Sequence, residues 1–269
     1  MILGFDKGAS AVKIVALEGD EVIFTKSIVG SEKTAGDLLL DFVKENLISI
    51  DNISAVASTG VGSEKSDFGD FENLVKIVSE IEATGEGGSW LSKIDEAIVV
   101  SIGTGTSLVL SKNGNYTHIG GSGVGSGTLR GLSKKMFGFS DLCEMFKLAE
   151  TGNRLTVDIT IGDLFSGIDT LPLDLTASNL AKCRDDATES DWAYAVINTV
   201  MEVAGSHAAL ACNGFELKNV VITGGISQTK IAKAVYDNFT NLYKLNYVIP
   251  EHSGYATAIG AARRIINGK

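Results

Sequence analysis

Three short turns, each closing an apolar strand and each built from small residues, constrain this chain more than any other feature. They are DKGAS at residues 6–10, SIGTGTS at 101–107 and TGGIS at 223–227. A strand that ends in glycines and hydroxyls leaves backbone N–H groups bare, and a phosphate binds bare N–H groups and hydroxyls. The turns are too far apart in sequence to form one local loop. If they share a ligand, the tertiary fold must bring them together.

The patterning between the turns supplies such a fold. Residues 2–5, 11–17 and 21–27 read as a meander of short strands, 34–48 carries apolar residues at helical spacing, and 53–59 reads as a further strand. The programme restarts at 96–103, continues at 106–112 and, past the Asn113-Gly114 turn, at 115–119. Helices are expected over 128–137, 141–150, 192–212, 228–243 and 255–267, with strands at 220–227 and 246–249. Two copies of strand, Gly-rich turn, strand predict an α/β protein of two lobes around a cleft. The Gly and Ser residues of EGGSWLSKID (86–95) place the boundary there, giving lobes at 1–90 and 91–269.

Composition narrows the ligands. A formal net charge of −10 argues against a nucleic-acid or anionic-membrane partner, which would favour clustered Lys and Arg. An anionic small molecule then depends on backbone N–H groups, a few cations and a metal ion. Cys143, Cys183 and Cys212 have no CxxC spacing, so neither a disulfide framework nor a zinc site is indicated. With no apolar run of about 18 residues, the expected setting is the cytoplasm.

Within the turns, Asp6 at a strand end can hold Mg²⁺ directly or through water, and Gly8, Ser10 and Lys13 can face a phosphate. Gly103 and Gly105 allow close backbone approach, with hydroxyls at Thr104, Thr106 and Ser107. Gly224 and Gly225 offer bare backbone to a nucleoside. Competing phosphate loops fail: GVGSEKS (60–66) lacks the Gly before Lys that a P-loop requires, and GSGVGSG (121–127) is not followed by the acidic residue of a dinucleotide fold. His207, His252, Trp90 and Trp192 read as packing or surface residues.

The order of an Asp turn, a Gly-Thr-Gly-Thr turn and a Gly-Gly turn resembles the actin, sugar-kinase and acetate-kinase superfamily. That resemblance implies duplicated ribonuclease H-like domains with nucleotide in the cleft. THIGGSGVGSGTLRGLSKKM (117–136) and SIGTGTSL before it closely resemble type II pantothenate kinases, as do AETGNRLTVDI (149–159), LPLDLTASNL (171–180) and EHSGYATAIGA (251–261). The resemblance implies ATP and Mg²⁺ as cofactors and pantothenate as acceptor, in the first step of coenzyme A biosynthesis. It assigns Asp6, Gly8, Ser10, Lys13 and Gly103 to Thr106 to the phosphate and metal site, and Glu80 as the base, with Glu82 as its competitor. The glycine run Gly121, Gly123, Gly125 and Gly127, leading into a helix, joins the cofactor site, and His118 and Gly120 the substrate region. A homodimer is expected from the resemblance and from the apolar 192–212 helix.

Three positions depart from the family pattern: Ala9-Ser10 stands for Gly-Thr, Ser126 for Gly, and His118 for an Arg. These departures leave open pantetheine or another hydroxylated acceptor, and a nucleotide-binding regulator without turnover. An ATPase activator of a radical or dehydratase enzyme shares the fold, but it would need cysteines in a Gly-rich loop.

Overall fold

The alternating residues of the opening segment form a meander of β1 (Ile2–Lys7), β2 (Ala11–Glu18) and β3 (Glu21–Val29). The computed structural model describes residues 1–61, 64–165 and 172–268. Part of the rejected 60–66 loop and Leu171 of the 171–180 segment lie outside them. Helix α1 (Ala35–Glu45) begins at Thr34, whose hydroxyl accepts from the Asp37 N–H at 3.1 Å. It returns the chain to β4 (Ala55–Gly60), which pairs parallel to β1, and β5 (Val75–Ile77) completes a sheet of order β3-β2-β1-β4-β5. Leu3, Phe5 and Val56 on one face of this sheet pack with Leu39 and Phe42 of α1 and with Phe68 and Phe71.

The second sheet repeats the meander with β6 (Ala97–Ile102), β7 (Thr106–Lys112) and β8 (Asn115–Ser122). Helices α3 (Ser126–Phe137) and α4 (Leu142–Ala149), the short pair β9 (Ile159–Thr160) and β10 (Thr176–Ser178), and the single turn α5 (Ile161–Leu164) intervene. Then come α6 (Glu189–Phe215), β11 (Asn219–Thr223), α7 (Lys230–Tyr243), β12 (Asn246–Val248) and α8 (Ala256–Ile266). The sheet order β12-β11-β6-β7-β8 inserts β11 beside β6 in parallel, so the second and third glycine turns leave neighbouring strands at the same end. The alternation in the two sheets thus does what the repeated pattern required.

Two features correct the sequence reading. Residues 86–95 do not form a punctuating segment, because α2 (Glu80–Ser92) runs through most of them and the 90/91 boundary falls inside it. Its glycines are packing devices. A Cβ at Gly88 would stand 2.5 Å from Val99 Cγ1, and one at Gly87 would overlap the Ala256 carbonyl. Helix α2 therefore lies on the second sheet, while α8 crosses back to the first, where Ala258 and Ile259 join Val15, Leu17 and Ala57. The other correction concerns α6, which is long and apolar enough to cross a membrane by length and composition. Its Ile197, Val200, Met201, Ala204 and Ala208 are instead buried against the second sheet and α7.

Candidate active site

Asp6 is the next-to-last residue of β1, directly opposite Lys13 of β2, so hairpin register alone sets an acid beside a base. Lys13 Nζ lies 4.0 Å from Asp6 Oδ2. Asp6 is 7% exposed, and burial, only partly offset by Lys13 and reinforced by Glu80, pushes its carboxyl pKa up to about 6. Gly8 N–H closes the intervening turn on the Ala11 carbonyl at 3.1 Å.

These groups line a cleft of about 360 Å³ together with the second glycine turn. Asp6, Gly8, Ser10, Lys13 and Glu80 come from before residue 90, and Gly103, Thr104, Gly105, Thr106 and Gly225 from beyond it. The two loops touch, with Ser10 Oγ 2.8 Å from Thr104 Oγ1. Glu80, the first residue of α2, faces this cleft and raises the Asp6 pKa through space. Glu82 is turned away and pairs with Arg264 at 2.9 Å. Spacing could not separate the two carboxylates, but the helix phase does.

The remaining expected residues sit elsewhere. Gly125 and Gly127 underlie the second turn: a Cβ at Gly125 would lie 2.7 Å from the carbonyl oxygens of Gly103, Thr104 and Gly105. The first-turn N–H groups of α3 point to the same loop, Ser126 to the Gly103 carbonyl at 2.8 Å and Gly127 to that of Thr104 at 2.9 Å. Those donors are already occupied, so this helix end shapes the loop. Gly224 has φ of +104° and its Cβ would strike the Ile102 backbone, which makes it a turn and packing glycine beside the cleft-lining Gly225. Gly120 has φ of +152° at a bulge in β8, Gly121 packs on the Thr106 carbonyl, and Gly123 is exposed. None of these three lines the cleft. His118 is exposed on the edge strand opposite Val109 and does not line it either.

Thr106 lines the cleft, but its hydroxyl is spent inward on the Val124 carbonyl at 2.7 Å. Sequence reading missed Thr257, which reaches the cleft from the start of α8, along with Val61, Ser101, Ser122 and Ser126. Nothing in the spacing marks Thr257, because only the return of α8 to the first sheet brings it there.

A family model described as Fumble matches residues 91–264. A type II pantothenate kinase of Bacillus cereus is 31% identical over 99% of this chain and 98% of its own length. This chain belongs to the type II pantothenate kinase family. The type II pantothenate kinase of Staphylococcus aureus is 25% identical over 97% of this chain and 98% of its own. Among solved structures, the activator of a 2-hydroxyisocaproyl-CoA dehydratase from Clostridium difficile, with bound ADPNP, superposes with a TM-score of 0.68 at 17% identity, covering 99% of this chain and 94% of that one. A glucokinase from Streptomyces griseus, with glucose and AMPPNP, gives 0.57 at 14%, covering 97% and 98%. At those identities the likeness shows the actin-like fold of this pantothenate kinase family member and nothing finer.

Proposed function

We propose that this chain is a cytoplasmic enzyme that transfers the γ-phosphoryl group of ATP to the primary hydroxyl of pantothenate. The observation that carries this is the convergence of Asp6, Lys13 and Glu80 with the 103–106 turn in one cleft, in a chain of this family. Glu80 takes the proton of the acceptor hydroxyl as its oxygen attacks the γ-phosphorus. The new O–P bond forms while the bond from phosphorus to the β,γ-bridging oxygen breaks, its electron pair leaving with ADP. Lys13, Ser10 and the backbone of Gly103 to Gly105 hold the phosphates and balance their charge.

Asp6 fits a Mg²⁺ ligand. Its buried carboxylate meets Lys13 only at 4.0 Å, so a bound divalent ion would offset the cost of burying the charge. Among the described residues no cluster of three or more His, Cys, Asp or Glu forms an all-protein cage. One carboxylate plus phosphate oxygens and water suits Mg²⁺. When bound there, the ion supplies positive charge to the phosphate oxygens.

An iron–sulfur role is disfavoured because none of the three cysteines lies in a Gly-rich loop; Cys143 and Cys183 are exposed and Cys212 is buried. The exposed Leu210 and Phe215 of α6 border a groove with Ile119 on the edge strand β8 and support a homodimer through that face. An ADP-release assay over pantothenate, pantetheine and sugars tests the acceptor. Turnover is expected with pantothenate, and ADP release independent of every acceptor would overturn the reading.

A further inference from the structure

Thr257 and Thr84 form a buried pair of hydroxyls where α8 crosses α2, their oxygens 3.2 Å apart. Either can donate, but their surroundings differ. Thr84 is 4% exposed and this is the one hydrogen bond its hydroxyl makes among those described, whereas Thr257 lines the cleft beside Asp6 and Glu80. Two hydroxyls in one bond leave one proton over. Were Thr257 the donor, the Thr84 proton would be buried with no acceptor, an arrangement folded proteins avoid. Thr84 therefore donates to Thr257, and the Thr257 O–H is left to point into the cleft.

The backbone around it favours an anion. Thr257 is the second residue of α8, an 11-residue helix whose first turn has no acidic residue and no side-chain cap. The 3-10 turn Ser253–Tyr255 leads into this end and takes up the Ala256 N–H on the Ser253 carbonyl, so what the helix offers the cleft is the positive end of its dipole and not a free Ala256 donor. Glu80 and Asp6 in the same cleft repel an acceptor's carboxylate but not a phosphoryl group whose charge is balanced by metal and Lys13.

We propose that Thr257 is a further catalytic residue, its O–H donating a hydrogen bond to an oxygen of the phosphoryl group in transit. This rests on the kinase reading above. As the bond from phosphorus to the bridging oxygen breaks and that to the acceptor oxygen forms, Thr257 keeps its proton and only its hydrogen bond strengthens. The phosphorylated acceptor and ADP remain the only products.

The test compares Thr257→Val, Thr257→Ser and Thr84→Val by kcat with pantothenate, and by the affinity for ADP with and without aluminium fluoride, a mimic of the transferring group. Thr257→Val is expected to lower kcat about 10- to 100-fold and to erase a similar part of the tightening that aluminium fluoride gives ADP, with binding of ADP alone unchanged. Thr257→Ser should restore both, and Thr84→Val should lower Tm while leaving kcat within about threefold. An unchanged aluminium fluoride increment in Thr257→Val, or equal losses in Thr84→Val and Thr257→Val, would overturn the proposal. The fluoride comparison needs no acceptor, so it decides the matter even if pantothenate fails as substrate.

Discussion

Among the described residues, every charged side chain lining the cleft, Asp6, Lys13 and Glu80, lies before residue 90, whereas the lining residues beyond it, from Ser101 to Thr257, are only glycines, serines and threonines. Both sheets repeat the same strand, turn, strand pattern, yet one wall, with Glu80 added from α2, carries the carboxylates for which we propose proton transfer and metal binding, and the other offers neutral donors. The division suits a chain of net charge −10. Backbone N–H groups and hydroxyls bind a polyphosphate without adding lysines, and the few carboxylates stay where charge must move. The comparison therefore separates residues whose loss stops the reaction from residues whose loss misplaces the nucleotide.

The largest effect is expected on the charged wall. Glu80→Gln keeps size and removes basicity, so kcat should fall about 10²- to 10⁴-fold while ATP binding changes little. Single-turnover kinetics with a parallel nucleotide-binding titration separates the two. A loss of ATP affinity with kcat intact would move Glu80 from the chemistry to the neutral wall's task.

Asp6→Asn should lower turnover by at least about 10²-fold through lost metal placement, and it should also stabilise the ligand-free protein. The sign follows from the carboxyl's pKa of about 6, above its ordinary 3.8. The folded state then binds the proton more tightly than the unfolded state, so Asp6 costs stability progressively as pH rises from about 4 to 6, and the cost persists above. Its upper bound is on the order of 3 kcal/mol. Thermal melts should show Asp6→Asn gaining a few degrees at pH 7.5 and nothing near pH 4. Binding of Mg²⁺ and ATP at pH 6 should release about half a proton from Asp6, visible as a buffer-dependent heat in calorimetry. A variant that melts below the wild type at pH 7.5 would contradict the burial argument.

On the neutral wall, Gly125→Ala puts a methyl group against three carbonyl oxygens of the 103–105 turn at 2.7 Å. The turn must shift, and the affinity for ATP should drop about tenfold or more, with kcat at saturating ATP far less affected. An ATP affinity that is unchanged would mean the turn's exact shape does not matter.

That glycine also shows where the sequence was legible. Most of the strand and helix order followed from periodicity, though not α2, read as a punctuating segment, or the short β5, β9 and β10; Asp6, Gly103 and Thr104 stood out because they close apolar strands. Glycine density did not distinguish backbone open to the cleft, as at Gly225, from backbone pressed against another chain segment, as at Gly87, Gly125 and Gly224. Both demand the absence of a Cβ, and one sequence shows only that absence. Thr257 was illegible for another reason. Its place depends on α8 returning across the whole chain to the first sheet, a contact with no local signature.

The smallest effect is expected at Glu82, and it bears on the comparison most sharply because Glu82 and Glu80 share one helix turn. Glu82 is 45% exposed in its side chain and pairs with Arg264 at the far side of α2 from the cleft wall. An ion pair with that much solvent contributes on the order of 0.2–1 kcal/mol. Arg264 also lies over the Tyr116 ring, 5.9 Å from its centroid, so it keeps a partner when Glu82 is neutralised. Glu82→Gln should therefore lower Tm by no more than about 4 °C and leave kcat within about twofold. Melting curves and steady-state rates, run beside Glu80→Gln, make the contrast quantitative. A dead Glu82→Gln with an active Glu80→Gln would place the base on the other face of α2, and with it the charged wall of the cleft.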